Sequence, residues 1–148
     1  MRASLILGYG NPLRSDDGVA YKAAIALESE LSSAEVCVVA AHQLLPEHGE
    51  LASRVARVLF LDASHGGVPG EIRCQAILRD PYFQPGTLTH DLHPSGVLEL
   101  ASRYFHAEPE AWLLTLTGAN FELGESFSAA VAAACPEYLD RIRAWARG

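Results

Sequence analysis

Short apolar runs alternate with longer amphipathic stretches along the whole chain. Five of these runs are rich in leucine or β-branched residues and are bounded by Gly, Pro or polar residues, which is typical of buried strands. They cover residues 3–10, 35–41, 57–63, 70–78 and 111–118. The fourth run alternates less cleanly, and it is assigned as a strand because it follows a Pro-Gly turn signal.

The segments between these runs have helical periodicity. From Gly18 the apolar residues recur at helical spacing, at Ala20, Ala23, Ala24, Leu27 and Leu31. A short helix is predicted from Pro46, a third from Pro94 and a fourth over 126–147, broken or restarted at Pro136. Alternation of strands and helices predicts a mostly parallel sheet that is covered by helices on both faces.

Length, charge and cysteine content narrow the class of protein. A chain of 148 residues predicts one domain, 1–148. The net charge of −7 argues against nucleic acid or an anionic membrane as partner, and no apolar run is long enough for a membrane span. The three cysteines are far apart and form no paired motif, so a reducing, cytoplasmic location is expected.

Polar residues follow three of the predicted strands at the points where the strands end. Asp16 and Asp17 follow the first strand, His42 follows the second, and Asp62 closes the third with His65 beyond it. In open α/β sheets ligands bind outside the carboxyl ends of the strands. These side chains are therefore expected to meet at one edge of the sheet.

The glycine-rich stretch GYGNPLRSDDG after the first strand superficially resembles a dinucleotide-binding loop. Leu13 stands where the third glycine of that motif is required, and two adjacent aspartates would repel a pyrophosphate. One aspartate is enough to cap the following helix, a role that suits Asp16. Its neighbour Asp17 is then available to bind a cation.

The loop THDLHP places His90 and His93 around an acid. Two carboxylates and an imidazole suit a borderline divalent ion such as Ni²⁺, Zn²⁺ or Co²⁺. Spacing alone leaves the choice between the two histidines open. His48 and His106 are predicted to be surface residues.

Taken together, LGYGNPLRSDDGVA, LFLDAS, THDLHPSGVLELA and the tail LLTLTGANFELGESFSAAVAAACPEYLDRI resemble the nickel–iron hydrogenase maturation proteases over nearly the whole chain. The resemblance implies a three-layer α/β/α sandwich of the phosphorylase/hydrolase-like kind, whose mixed five-stranded sheet has one antiparallel member. It also implies a cytoplasmic endopeptidase, and a monomer is expected, although the sequence leaves the oligomeric state open. Such an enzyme removes the C-terminal extension of the hydrogenase large-subunit precursor after nickel insertion.

The same resemblance implies the site residues. Asp17, Asp62 and His90, with His93 as the alternative to His90, correspond to residues that bind the nickel carried by the precursor. The protease then needs no resident metal of its own. From the residues themselves, Asp16 is expected either to cap the helix or to support these ligands by hydrogen bonding, and His42 either to support them or to contact a partner.

The chain departs from the family pattern at a few positions. Ser15 and Ala20 stand where the family usually has glycine, and AHQLLPE replaces a Gly-Thr-x-Gly stretch after the second strand. The second departure leaves the identity of the substrate open. A non-catalytic, nickel-dependent chaperone or binding protein for the same precursor is the alternative function.

Overall fold

The computed structural model describes residues 3–84 and 92–148, and every predicted element has a counterpart there. The strands are β1 (Ser4–Tyr9), β2 (Val36–Ala41), β3 (Arg57–Ser64), β4 (Ile72–Ala76) and β5 (Glu110–Thr117). The helices are α1 (Val19–Leu31), α2 (Glu47–Ser53), α3 (Pro94–Phe105) and α4 (Ala129–Ala146). None of these helices is long and apolar enough to cross a membrane.

The five strands form one mixed sheet in the order β2-β1-β3-β5-β4. The first four in this order pair in parallel, whereas β4 runs antiparallel to β5, with Ile72 opposite Leu116 and Ala76 opposite Trp112. The predicted mixed sheet is therefore confirmed, and the antiparallel member is the run that alternates least cleanly.

Helices cover both faces of the sheet, and each face has its own core. Ile6 of β1 packs in one cluster with residues of α1 and α4, whereas its neighbours Leu5 and Leu7 point into a second cluster with residues of α2 and α3. Burial on both faces explains why the central strands are almost continuously apolar. The three-layer α/β/α arrangement is thus confirmed.

The predicted break at Pro136 is wrong. Helix α4 is continuous through this proline and is capped at its start by Ser128, whose hydroxyl oxygen accepts a hydrogen bond from the N–H of Val131 at 3.4 Å. The side of the helix around Pro136 is exposed, so water can reach the carbonyl group that the proline leaves without a donor.

The prediction for His48 is also wrong, because only 5% of this residue is exposed. Its Nδ1 accepts a hydrogen bond from the N–H of Leu45 at 2.8 Å, which fixes the turn that leads into α2. Burial lowers the pKa of the imidazole and favours the neutral form that this bond requires. His106 is exposed, as predicted.

Candidate active site at the carboxyl edge of the sheet

The sheet brings the ends of β1 and β3 side by side. Gly8 pairs with Leu61, so the next residues, Tyr9 and Asp62, lie together at the carboxyl edge. Both extend the row of alternate residues that faces α2 and α3, and the Tyr9 hydroxyl donates a hydrogen bond to the Asp62 carboxylate. Asp62 is thus anchored by a neighbour on the adjacent strand.

Asp17 belongs to the tight loop that follows β1. Its Oδ2 accepts a hydrogen bond from the N–H of Asn11 at 2.8 Å. Gly10 has a φ of +148°, and a Cβ at this position would lie 2.1 Å from the carbonyl oxygen of Asp17. The loop can fold back on itself in this way only because residue 10 is a glycine.

This geometry also disfavours a nucleotide site. In a phosphate-binding loop the backbone N–H groups point at the phosphate. Here the N–H of Asn11 is bonded to the carboxylate of Asp17. A phosphate approaching this loop would meet a negative charge, as the sequence predicts.

The charge of Asp17 reaches the second carboxylate at this edge, that of Asp62. Burial, partly offset by the hydrogen bonds from Tyr9 and the N–H of Ala63, and the nearby charge of Asp17 together raise the pKa of Asp62 to about 7. Burial and the charge of Asp62 also raise the pKa of the Tyr9 phenol. A cation bound at these two acids would favour their ionised forms, because an opposite charge nearby stabilises a carboxylate.

Asp16 does not cap α1, so the capping role predicted for it is wrong. The residue is fully buried, and its carboxylate accepts three backbone N–H groups, from Ala119 at 2.8 Å, Asn120 at 3.0 Å and Ser128 at 2.8 Å. Although burial alone would raise it, these bonds hold the pKa of Asp16 below its usual value. Asp16 therefore joins the loop after β1 to the loop between β5 and α4.

The backbone between these two loops is paired as well. Ser15 adopts a left-handed conformation with a φ of 52°, at a position where the resembling family usually has glycine. Its N–H donates to the carbonyl oxygen of Gly124 and its hydroxyl to that of Glu122, both at 2.8 Å. These bonds offset the cost of a left-handed serine.

The histidines of the predicted site are distributed differently. His90 lies outside the described residues. His93 is exposed and directly precedes α3, whereas His42 is exposed at the end of β2 with its ring 5.0 Å from that of Tyr21. His65 stacks on Phe121 with 3.7 Å between ring centroids, which ties the end of β3 to the loop after β5.

Within residues 3–84 and 92–148, no group of three His, Cys, Asp or Glu side chains is close enough to hold a metal ion. His93 thus does not join Asp17 and Asp62 in such a group. The described part of the site consists of two acids, and a third ligand from the loop remains a prediction for His90.

Sequence reasoning missed three residues that shape this site, namely Tyr9, Asn11 and Phe121. Tyr9 could have been found from register, because it ends a strand on the same face as Asp62. The contacts of Asn11 and Phe121 depend on loop conformation, which leaves no periodic signal in the sequence.

The fold and the acidic edge define a class: an α/β protein with a candidate cation-contact site at the carboxyl ends of β1 and β3. Solved structures with this fold cover almost the entire chain. The [NiFe] hydrogenase maturation protease HycI from Thermococcus kodakarensis KOD1 has a TM-score of 0.77 and 22% identity, over 99% of this chain and 93% of that one. The hydrogenase maturating endopeptidase HybD from E. coli has a TM-score of 0.73 and 23% identity over the same shares.

A further endopeptidase from Escherichia coli, known from a solution structure, has a TM-score of 0.74 and 22% identity, over 97% of this chain and 91% of that one. No protein-family model and no curated protein sequence matches the chain. At these identities the likeness establishes the fold, and the fold is that of structures named as hydrogenase maturation proteases.

Proposed function

We propose that this protein is an endopeptidase that removes the C-terminal extension of a nickel–iron hydrogenase large-subunit precursor after nickel insertion. The observation that carries the proposal is the pair Asp17 and Asp62 at the carboxyl edge, in a fold shared with structures named as maturation proteases. The resemblance of the opening motif and of THDLHP supports the same function.

In this proposal the nickel belongs to the substrate. Asp17, Asp62 and His90 bind the ion that the precursor carries, so a precursor without nickel offers them nothing to bind. The ion would supply Lewis-acid polarisation of the scissile carbonyl or of a water molecule. Tyr9 orients the Asp62 carboxylate by donating its hydroxyl hydrogen bond.

The test uses the purified protein and the large-subunit precursor from the same organism, with and without inserted nickel. Intact mass is recorded over time. We expect a C-terminal peptide to be lost only from the nickel-loaded precursor. Binding of that precursor without any loss of mass would favour the non-catalytic alternative instead.

Three variants assign the residues, namely Asp17→Asn, Asp62→Asn and His90→Ala. Each is expected to reduce processing by at least about a hundredfold, because each removes a group that contacts the reacting centre. Glu28→Gln, at an exposed acid on α1, is the control and should process at the wild-type rate. His93→Ala separates the two histidines, since loss of processing in this variant but not in His90→Ala would reverse the assignment.

A further inference from the structure

Two large apolar side chains are exposed on the loops after β1 and β5, the first of which also carries Asp17. Leu13 is 56% exposed and Leu123 is 77% exposed. They lie on segments that are bonded to each other, because the N–H of Gly124 donates to the carbonyl oxygen of Leu13 at 2.9 Å. We call these two side chains the leucine surface.

The backbone under the leucine surface is fixed by hydrogen bonds. Arg14 and Gly124 form a bridge, and the buried carboxylate of Asp16 binds the backbone at the start and at the end of the loop that carries Leu123. Leu13 is fixed from its own side, since its N–H donates to Oδ1 of Asn11 at 2.9 Å. Contiguous exposed apolar side chains, unlike single scattered ones, mark sites of protein–protein contact.

The leucine surface is continuous with the candidate active site. Asn11 bonds to Leu13 through its side chain and to the Asp17 carboxylate through its backbone N–H at 2.8 Å. A macromolecule that brings a cation to Asp17 therefore approaches the turn that presents Leu13. On the other side, Phe121, two residues before Leu123, stacks on His65, the residue that directly follows β3.

We propose that Leu13 and Leu123 form a docking surface for an apolar patch of the hydrogenase precursor, next to the part that carries nickel. The proposal rests on the proposed function and adds to it the surface that recognises the folded partner. Recognition then has two parts. The acids contact the metal, and the leucines contact the protein surface around it.

The test compares the double variant Leu13→Gln/Leu123→Gln with wild type and with Leu78→Gln. Leu78 is 83% exposed and follows β4 at the opposite, amino edge of β5, so it controls for the loss of an exposed leucine. We expect the KM for the nickel-loaded precursor to rise about tenfold or more in the double variant. The variant lacks two apolar side chains that become buried when wild type binds the precursor. Saturating precursor should restore most of the rate, and Leu78→Gln should behave as wild type.

Thermal unfolding of the double variant should match that of wild type, since both leucines already contact water in the free protein. If wild type cleaves the precursor and the double variant has the same KM as Leu78→Gln, the docking surface is overturned and the proposed function is left intact. If wild type binds the precursor without cutting it and the double variant binds it more weakly, cleavage is refuted and docking is retained. If light scattering shows a wild-type dimer that the double variant dissociates, while KM is unchanged, the surface binds a second copy and the proposal is overturned.

Discussion

At the scale of single residues, the adjacent aspartates of the opening motif have opposite environments. Asp16 is buried among N–H donors that stabilise its charge, and Asp17 is half-buried with one donor. The repulsion between neighbouring acids is tolerated because each faces a different segment. Asp16 fixes the conformation of the loop, and Asp17 is the acid that we propose to contact the nickel of the substrate.

Asp16→Asn is expected to lower the free energy of unfolding by about 3 kcal/mol at neutral pH, because an amide cannot accept all three N–H groups and brings a donor of its own. Urea unfolding measures this, with Asp140→Asn on the exposed face of α4 as control. Asp16 is ionised more readily in the folded chain, so its contribution is lost as pH falls below about 4. Wild type and variant should converge there, and a constant difference down to acid pH would contradict this explanation.

Asp62→Asn should have the opposite effect on stability in metal-free protein. Between the ordinary value of about 4 and about 7, the folded chain keeps a proton that the unfolded chain releases. Wild-type stability therefore falls as pH rises through this window, by up to about 1.4 kcal/mol per pH unit. The variant does not lose stability in this way, because an asparagine at this position does not titrate. It should therefore be the more stable protein at pH values above the window.

Urea unfolding of wild type and Asp62→Asn across that pH window, in the presence of a chelator, is the measurement. Asn can still accept the hydrogen bond from Tyr9, so the local contact is kept. Parallel pH profiles for the two proteins would show that Asp62 is not the titrating group.

At the scale of elements, the turn before α2 depends on a neutral histidine. Below about 6.5 the unfolded chain takes up a proton on His48 that the folded chain excludes. The stability that neutral His48 contributes is thus complete above this pH and is lost as the pH falls below it. His48→Asn keeps an acceptor near the position of Nδ1 but does not titrate, so its melting temperature should fall less on acidification than that of wild type.

His106→Asn is the control for this experiment, because His106 is exposed and its left-handed φ of 55° suits asparagine. Its melting temperature should follow wild type across the pH range. If His48→Asn also follows wild type, the turn does not depend on the protonation of His48.

Pro136 lowers the stability of helix α4. Pro136 has no N–H for the carbonyl of Ala132 and lies in the interior of an 18-residue helix. Pro136→Ala should raise the free energy of unfolding by roughly 1–3 kcal/mol, since interior proline costs about 3 kcal/mol relative to alanine. Chemical unfolding tests this, with Ala133→Gly as a control that should destabilise the same helix.

At the scale of the whole molecule, the apolar periodicity of the sequence predicts the strands and helices. The order of the strands explains where the two acids of the candidate site lie. Four of the five strands are recognisable in the sequence because buried residues recur along them, whereas the mostly exposed β4 is marked by the turn signal before it. The parallel order of β1 and β3 puts Asp62 and the loop that carries Asp17 at the same edge of the sheet. The role of Asp16 could not be predicted, because its partners lie 103, 104 and 112 positions away. The burial of His48 was missed for a related reason, since its helix α2 packs against α3, which comes later in the chain.

These long separations have a consequence for biosynthesis. The loop that carries Asp17 is completed by bonds from residues 119, 120 and 128 to Asp16. A ribosome that has released only the first three strands has made both acids of the pair but not the segment that fixes the loop between them. The growing chain thus lacks the three bonds that fix the loop of Asp16 and Asp17 until the segment before α4 has emerged.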